Sequence, residues 1–209
     1  MKKILITTLL LLTLTTVGYS LVFAEGDASL ELKPSALQAN MGDEFTVDIM
    51  LKNPGAQNVI SVRSWLEYNP AALEAENIDT SKSSFTLYAP GEDNISADEG
   101  HVKIGRSNIT GGSTDAEATV ATVKFKVLAG NAVTSEIKFY DYQVSELGHT
   151  SVNIIDSGFP VNILSEEPKS VKINLNPGGA PVVTTTPINT NPAPVDTGGM
   201  GGGTIVSSP

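Results

Sequence analysis

The chain has 209 residues, no cysteine, and 23 acidic side chains against 13 Lys and Arg, which gives a formal net charge of -10. The lack of cysteine excludes disulfide bonds and thiol catalysis. An acidic chain without a Lys- or Arg-rich run repels phosphate backbones, so nucleic acid is not an expected partner.

The chain opens with a candidate export signal. Lys2 and Lys3 precede an apolar run over residues 4–23, which ends in a small-residue pattern at Ala24. This arrangement predicts a signal peptide over residues 1–24 and a secreted or cell-surface protein. The alternative is an uncleaved anchor, because the run approaches the ~20 residues that span a bilayer. Membrane association is expected only in that case.

Residues 25–164 show the pattern of a single all-β domain. Over residues 44–52, Phe45, Val47 and Ile49 alternate with polar side chains, which is the period of a half-buried strand. Turn residues separate further segments of this kind, and only residues 70–76 favour a short helical turn. We predict an antiparallel β-sandwich of jelly-roll type with about nine strands. The expected strands are 44–52, 59–68, 84–88, 101–106, 120–127, 136–144, 152–155 and 159–164.

The composition changes after residue 164. Residues 165–209 are rich in Pro, Thr and Gly, and such a segment cannot bury enough apolar surface to offset its ordering entropy. We expect a disordered linker or tail here, with one isolated strand over residues 171–175.

Three stretches carry a family resemblance. Residues 41–49, Met-Gly-Asp-Glu-Phe-Thr-Val-Asp-Ile, are similar to the strand opening of cohesin modules, the β-sandwich receptors of cellulosome scaffoldins. Residues 66–74 resemble the family's turn, with Asn69 where the family most often has Asp, and residues 118–127 resemble its late core strand. The resemblance implies a non-catalytic module that recognises either a dockerin-type protein or a polysaccharide-related ligand.

Known cohesins bind through one sheet face, and alternation selects a candidate face here. In the strand over residues 59–68, the side chains of Arg63, Trp65 and Glu67 point away from the core-facing set. An exposed Trp between charges fits a recognition hot spot. The alternative is that a loop buries Trp65 as ordinary core. The expected extensions of this face on neighbouring strands are Tyr88, His101 and Lys103.

A second candidate surface involves two tyrosines. Tyr140 and Tyr142 are two residues apart in an expected strand, with Asp141 between them. Aromatic rings beside a carboxylate are compatible with sugar binding. The alternative is that these tyrosines pack across strands.

The remaining polar residues predict no catalytic site, no metal site and no cofactor. The acidic loop over residues 91–100 has Ile95 and Ala97 where calcium ligands would be needed, so we interpret it as a solvated loop. His101 and His149 have no partner at ligand spacing.

Two rival functions stay open from the sequence. The first is a structural or adhesive subunit of a surface assembly, because an exposed edge strand can pair with another copy. The second is a hydrolase with an unrecognised pair of carboxylates, although no motif selects two of the 23 acids.

Overall fold

The computed structural model describes residues 28–108, 110–128, 133–143 and 149–176. The expected signal peptide and the part of the expected tail beyond residue 176 lie outside the described residues. In chain order the described strands are β1 (Ser29–Pro34), β2 (Gln38–Asn40), β3 (Glu44–Lys52), β4 (Ser61–Tyr68), β5 (Leu73–Asp79), β6 (Leu87–Tyr88), β7 (Asn94–Ser96), β8 (His101–Ser107), β9 (Glu117–Val127), β10 (Thr134–Phe139), β11 (Ser151–Asp156), β12 (Phe159–Asn162) and β13 (Val171–Asn176).

The smaller sheet has the order β1-β3-β9-β5, and its neighbouring strands are antiparallel. Strand β3 has the predicted bounds, and its alternate residues are buried as predicted. A β-bulge adds one residue to β9, where pairing passes from Ile49 and Ala121 to Met50 and Thr119. The extra residue, Val120, is buried together with Ala121. The strand predicted over residues 120–127 begins earlier than predicted, at Glu117.

The larger sheet is centred on β4. Strand β8 pairs along one edge of β4, and β10 and β11 lie end to end along the other edge. Strand β12 continues the sheet beyond β11, β13 and β2 continue it beyond β10, and β6 and β7 pair with β8. The β2 and β13 pair is parallel, which departs from the antiparallel arrangement predicted. The two sheets confirm the predicted β-sandwich.

Aromatic and aliphatic side chains from both sheets fill the space between them. The rings of Phe45 and Phe125 stack with their centroids 5.7 Å apart, and Tyr68 meets Phe125 edge-on at 5.3 Å. Fully buried Leu66 and Ile137 join them from the larger sheet. Each buried side chain of this size stabilises the fold by about 1.5–3 kcal/mol.

The predicted helical turn over residues 70–76 is wrong. Most of that segment belongs to β5, where Leu73 is fully buried and pairs with β9. Only a turn precedes it, in which the side-chain oxygen of Asn69 accepts a hydrogen bond from the Ala71 nitrogen at 3.0 Å. Burial and cross-strand pairing outweigh the helix propensity of so short a segment.

The strand expected to be isolated lies inside the larger sheet. Strand β13 pairs with β10 on one side and β2 on the other, and its Ile173 and Leu175 are buried in the core. The sheet therefore continues past residue 164 to Asn176.

Strand β10 ends earlier than predicted, at Phe139 rather than residue 144. Asp141 adopts a positive φ of 52°, a conformation that side-chain-bearing residues rarely take in strands. The chain leaves the sheet here and rejoins it at β11, so a break separates the two half-strands beside β4.

Candidate functional site

The outer faces of the two sheets differ in chemistry. On the smaller sheet, Lys52 contacts Glu31 and Glu117 at 2.9 Å each. Lys124 contacts the carboxylates of Glu44 at 2.8 Å and Glu76 at 3.0 Å. Side chains that satisfy one another in this way are typical of a solvent-facing surface. The larger sheet carries aromatic rings instead.

The predicted outward orientation of the β4 side chains is confirmed. Buried and partly exposed residues alternate along β4, and Arg63, Trp65 and Glu67 belong to the partly exposed set. Lys103 lies opposite Trp65 on β8, and His101 lies opposite Glu67. Because residues directly opposite each other share a face, the structure brings these five side chains together as expected.

Groups from both sides cover the ring of Trp65. From β8, the ammonium nitrogen of Lys103 lies 4.4 Å from the ring centroid, in a cation–π contact. From the opposite edge of β4, the imidazole of His149 stacks on the indole at 4.0 Å and 14°. The indole nitrogen donates a hydrogen bond to the Glu92 carboxylate at 3.0 Å. The ring is therefore fixed in position.

Tyr140 extends the stack. Its ring lies 5.6 Å from Trp65 and 4.6 Å from His101, nearly parallel to the imidazole. The Tyr140 backbone nitrogen donates to the Trp65 carbonyl, and the hydroxyl of Thr150 donates to the Tyr140 carbonyl at 2.7 Å. Burial raises the pKa of Tyr140, and nearby carboxylates, Asp141 foremost, add to this effect. We call Trp65, His101, Lys103, Tyr140 and His149 the aromatic cluster.

The sequence analysis missed Glu92 as a member of this site. Only 7% of its side chain is exposed, and it contacts both Trp65 and the Arg63 guanidinium, the latter at 3.4 Å. The predicted solvated loop over residues 91–100 is wrong at this position. Gly105 makes the contact possible, because a Cβ there would lie 2.7 Å from Cγ of Glu92. A glycine inside a strand pattern is the signal that indicates such a close approach.

The other missed residue is His149. It follows a segment with no strand pattern, so its sequence position carries no sign of the stack on Trp65. In the fold its Nδ1 is also bonded to a carboxylate oxygen of Asp141. Both histidines of the chain therefore lie in the aromatic cluster, although they are far apart in sequence.

Arg63 and Glu67 share the face that carries the cluster, whereas two other predicted site residues, Tyr88 and Tyr142, do not join it. Tyr88 pairs with Arg106, whose side chain is buried against the Phe85 carbonyl, so Tyr88 belongs to the other face of the sheet. It is 66% exposed there. Tyr142 packs against the hydrophobic core, and a hydrogen bond to Glu167 raises its pKa. The positive φ of Asp141 breaks the alternation that places Tyr140 and Tyr142 on one face.

The site offers recognition chemistry. Stacked rings with a charged rim allow a partner to bury apolar ring edges while the charges fix its orientation. Within the described ranges, no group of three His, Cys, Asp or Glu side chains is placed to hold a metal ion. No helix within the same ranges is long and apolar enough to cross a membrane.

Comparisons with known proteins agree with this geometry. The family model described as Cohesin domain matches residues 30–162. A type I cohesin from Pseudobacteroides cellulosolvens, the seventh of ScaB, is 16% identical with a TM-score of 0.53, over 74% of this chain and 95% of its own. A type II cohesin from the cellulosome of Acetivibrio cellulolyticus is 21% identical with a TM-score of 0.51, over 70% and 95%. No curated protein matches this chain.

The family match identifies this β-sandwich as a protein-binding module. The chain belongs to the cohesin domain family. Cohesin domains are non-catalytic binding modules.

Proposed function

We propose that this protein is an exported receptor module that binds a dockerin-type protein through the aromatic cluster on the larger sheet. The observation that carries the proposal is the fixed position of Trp65, which is held by Glu92, Lys103 and His149 on an outward sheet face. A ring that is already ordered loses little entropy on binding, so its burial contributes fully to affinity.

Two solved relatives support the partner class. A Clostridium thermocellum structure with 16% identity and a TM-score of 0.51, over 71% of this chain and 99% of its own, is a type I cohesin–dockerin complex. A scaffoldin B cohesin from Acetivibrio cellulolyticus, with 15% identity and a TM-score of 0.50 over the same shares, was solved in complex with a mutant Cel5 dockerin.

The arrangement of the rings favours a protein partner over a polysaccharide. Sugars stack on the open face of a planar aromatic ring. Lys103 and His149 approach Trp65 from opposite edges of β4, and Tyr140 is itself stacked on His101. The cluster therefore offers ring edges and charges, which suit the varied surface of a protein. Recognition of a polysaccharide-related ligand through the same sheet face is the alternative.

Export and tethering complete the proposal. Residues 1–24 have the composition of an export signal, which supports a secreted or cell-surface location. The Pro-, Thr- and Gly-rich chain beyond the last strand has the composition of a spacer.

A structural or adhesive assembly subunit is the second candidate function, and the edge strand β12 favours it. Phe159 is 73% exposed, and the neighbouring Ile155 and Val161 are also exposed. Pro160 in the same strand removes a backbone donor, so association through β12 would depend on these apolar side chains more than on ladder hydrogen bonds. Ordered oligomers in analytical ultracentrifugation would support this function, whereas a monomer at high concentration would remove it.

The test of the dockerin proposal is calorimetric titration of the purified domain against a panel of dockerin modules, with a glycan array in parallel. We expect a dockerin to bind, and Trp65→Ala to weaken it by about thirtyfold or more, as expected of a hot spot. Phe159→Ala is the matched control, because Phe159 is an exposed aromatic residue away from the cluster, and it should leave affinity unchanged. No binding by any dockerin to the folded domain would overturn the proposal.

A further inference from the structure

A groove of about 540 Å³ lies beside the aromatic cluster on the outer face of the larger sheet. Its walls are Ala89 on the β8 side and Asp141 with His149 on the β11 side. Its floor is made of small polar side chains from three neighbouring strands, namely Ser61, Ser107 and Ser151. We call this feature the serine groove.

The floor of the serine groove presents hydrogen-bond donors. The side-chain nitrogen of Asn153 donates to Oγ of Ser61 at 3.2 Å and to Oγ of Ser151 at 3.1 Å. A hydroxyl that accepts a bond in this way keeps its own proton for another partner. The amide oxygen of Asn153 has no partner among the described residues, although more than nine-tenths of this residue is buried. The polar network under the groove is therefore incomplete.

Arg63 adds positive charge to the same groove. One guanidinium nitrogen lies 3.4 Å from the Glu92 carboxylate, and 41% of the side chain is exposed. Glu92 also accepts the hydrogen bond from Trp65. A guanidinium has five N–H donors in a planar fork, so this one contact leaves most of them open to a ligand.

The acidic groups near the groove are already engaged. The carboxylate of Asp141 is bonded to His149, and that of Glu92 is shared by Arg63 and Trp65. Apart from the amide oxygen of Asn153, which is an acceptor, the groups that remain open are hydroxyl and guanidinium donors. A groove with surplus donors selects an acceptor, and a carboxylate can pair with a guanidinium through two parallel bonds while it accepts further bonds from hydroxyls.

We propose that the serine groove is a specificity subsite that receives an Asp or Glu side chain of the bound partner, and that Arg63 is its specificity-determining residue. The class of the partner rests on the proposed function. The affinity of the groove for a carboxylate does not rest on the proposed function. The carboxylate subsite and the dockerin partner can therefore be tested separately.

The first experiment tests the groove alone. The ¹⁵N-labelled domain is titrated with N-acetylglutamate methylamide and, in parallel, with its uncharged glutamine counterpart, and amide shifts are followed by NMR. We expect saturable shifts at Ser61, Ser107 and Ser151 with the glutamate probe alone. Equal responses to both probes, or shifts scattered over the surface, would overturn the proposal.

Variants sharpen this titration. Arg63→Gln is expected to remove the response to the glutamate probe. Lys138→Gln is the matched control, since Lys138 is also half exposed on this sheet, contacts Glu67 at 3.5 Å, and lies outside the groove. It should respond like the wild type. A full response by folded Arg63→Gln would contradict the role of Arg63.

The second experiment uses any dockerin module that binds the domain. Arg63→Gln should weaken that complex by about tenfold, and replacing one acidic residue of the dockerin by its amide should weaken it equally, with no further loss when both changes are combined. If the loss of affinity from Arg63→Gln adds to the loss from every acidic substitution in the dockerin, Arg63 does not contact a carboxylate of the partner and the proposal is overturned. If no dockerin binds, the proposed function fails. The probe titration still tests whether the groove binds a carboxylate.

Discussion

The imidazole of His149 lies 4.0 Å from the indole of Trp65, although the two residues come from distant parts of the chain. The contact joins the centre of the larger sheet to the segment that leaves it after β10. The arrangement of the aromatic cluster therefore depends on residues outside the strands as well as on the strands.

The stack predicts a spectroscopic effect of His149→Ala. Trp65 is the single tryptophan of the chain, so the tryptophan emission reports on the surroundings of this one ring. Loss of the imidazole exposes one ring face to water, and we expect emission at longer wavelength with an almost unchanged melting temperature. His101→Ala is the control, because His101 stacks on Tyr140 and not on Trp65. Identical emission of the His149→Ala variant and the wild type would contradict the stack.

Gly105→Ala is expected to lower the free energy of unfolding by about 1–3 kcal/mol, the usual cost of an overpacked site. The new Cβ would lie 2.7 Å from Cγ of Glu92 and would displace that side chain from Trp65. Chemical denaturation measures the loss. Ser107→Ala, also outward on β8, should cost little.

A double-mutant cycle identifies the cause of the loss at Gly105. If the clash with the Glu92 side chain is responsible, Gly105→Ala should cost much less in a Glu92→Ala background, where only the Cβ of residue 92 remains close, at 3.1 Å. An undiminished cost in that background would show that the strand itself, and not Glu92, resists the methyl group.

Alkaline pH is expected to destabilise the domain. Burial raises the pKa of Tyr68 and of Tyr140 above the value of about 10 that tyrosine has in an unfolded chain. The folded state therefore holds these protons more tightly. Their contribution to stability is fully present below pH ~10 and is lost as pH rises through the folded-state pKa values. Melting temperature against pH, with phenolate absorbance in parallel, measures this loss.

Tyr140→Phe tests how much Tyr140 contributes to the loss of stability at alkaline pH. Its hydroxyl is buried with no hydrogen-bond partner among the described residues, so removing it should cost little at neutral pH. The melting temperature of the variant should fall less steeply with rising pH. Superimposable curves for the variant and the wild type would exclude a contribution from Tyr140.

A chain that ends at residue 165 is expected to be several kcal/mol less stable than one that ends at residue 176. The shorter chain loses β13, with buried Ile173 and Leu175, each worth about 1.5–3 kcal/mol. It also leaves β2 and one edge of β10 without a partner. Denaturant titration of both chains measures the difference, and equal stabilities would show that β13 is dispensable.

The sequence predicts most of the sandwich, because its strands bury one face and alternation reveals that face. The outward orientation of Arg63 and Trp65 follows from the same rule. The positions of Glu92 and His149 do not, since they depend on where irregular segments return to the sheet. Tyr142 could not be separated from Tyr140, because a single positive φ at Asp141 interrupts the period, and an Asp by itself does not specify that conformation.

The break between β10 and β11 has a consequence for how this surface can diverge. Tyr140 and His149 lie between the half-strands and outside both of them, yet their side chains pack on Trp65 in the aromatic cluster. A library confined to these two positions should therefore change partner choice while the strands keep their pairing.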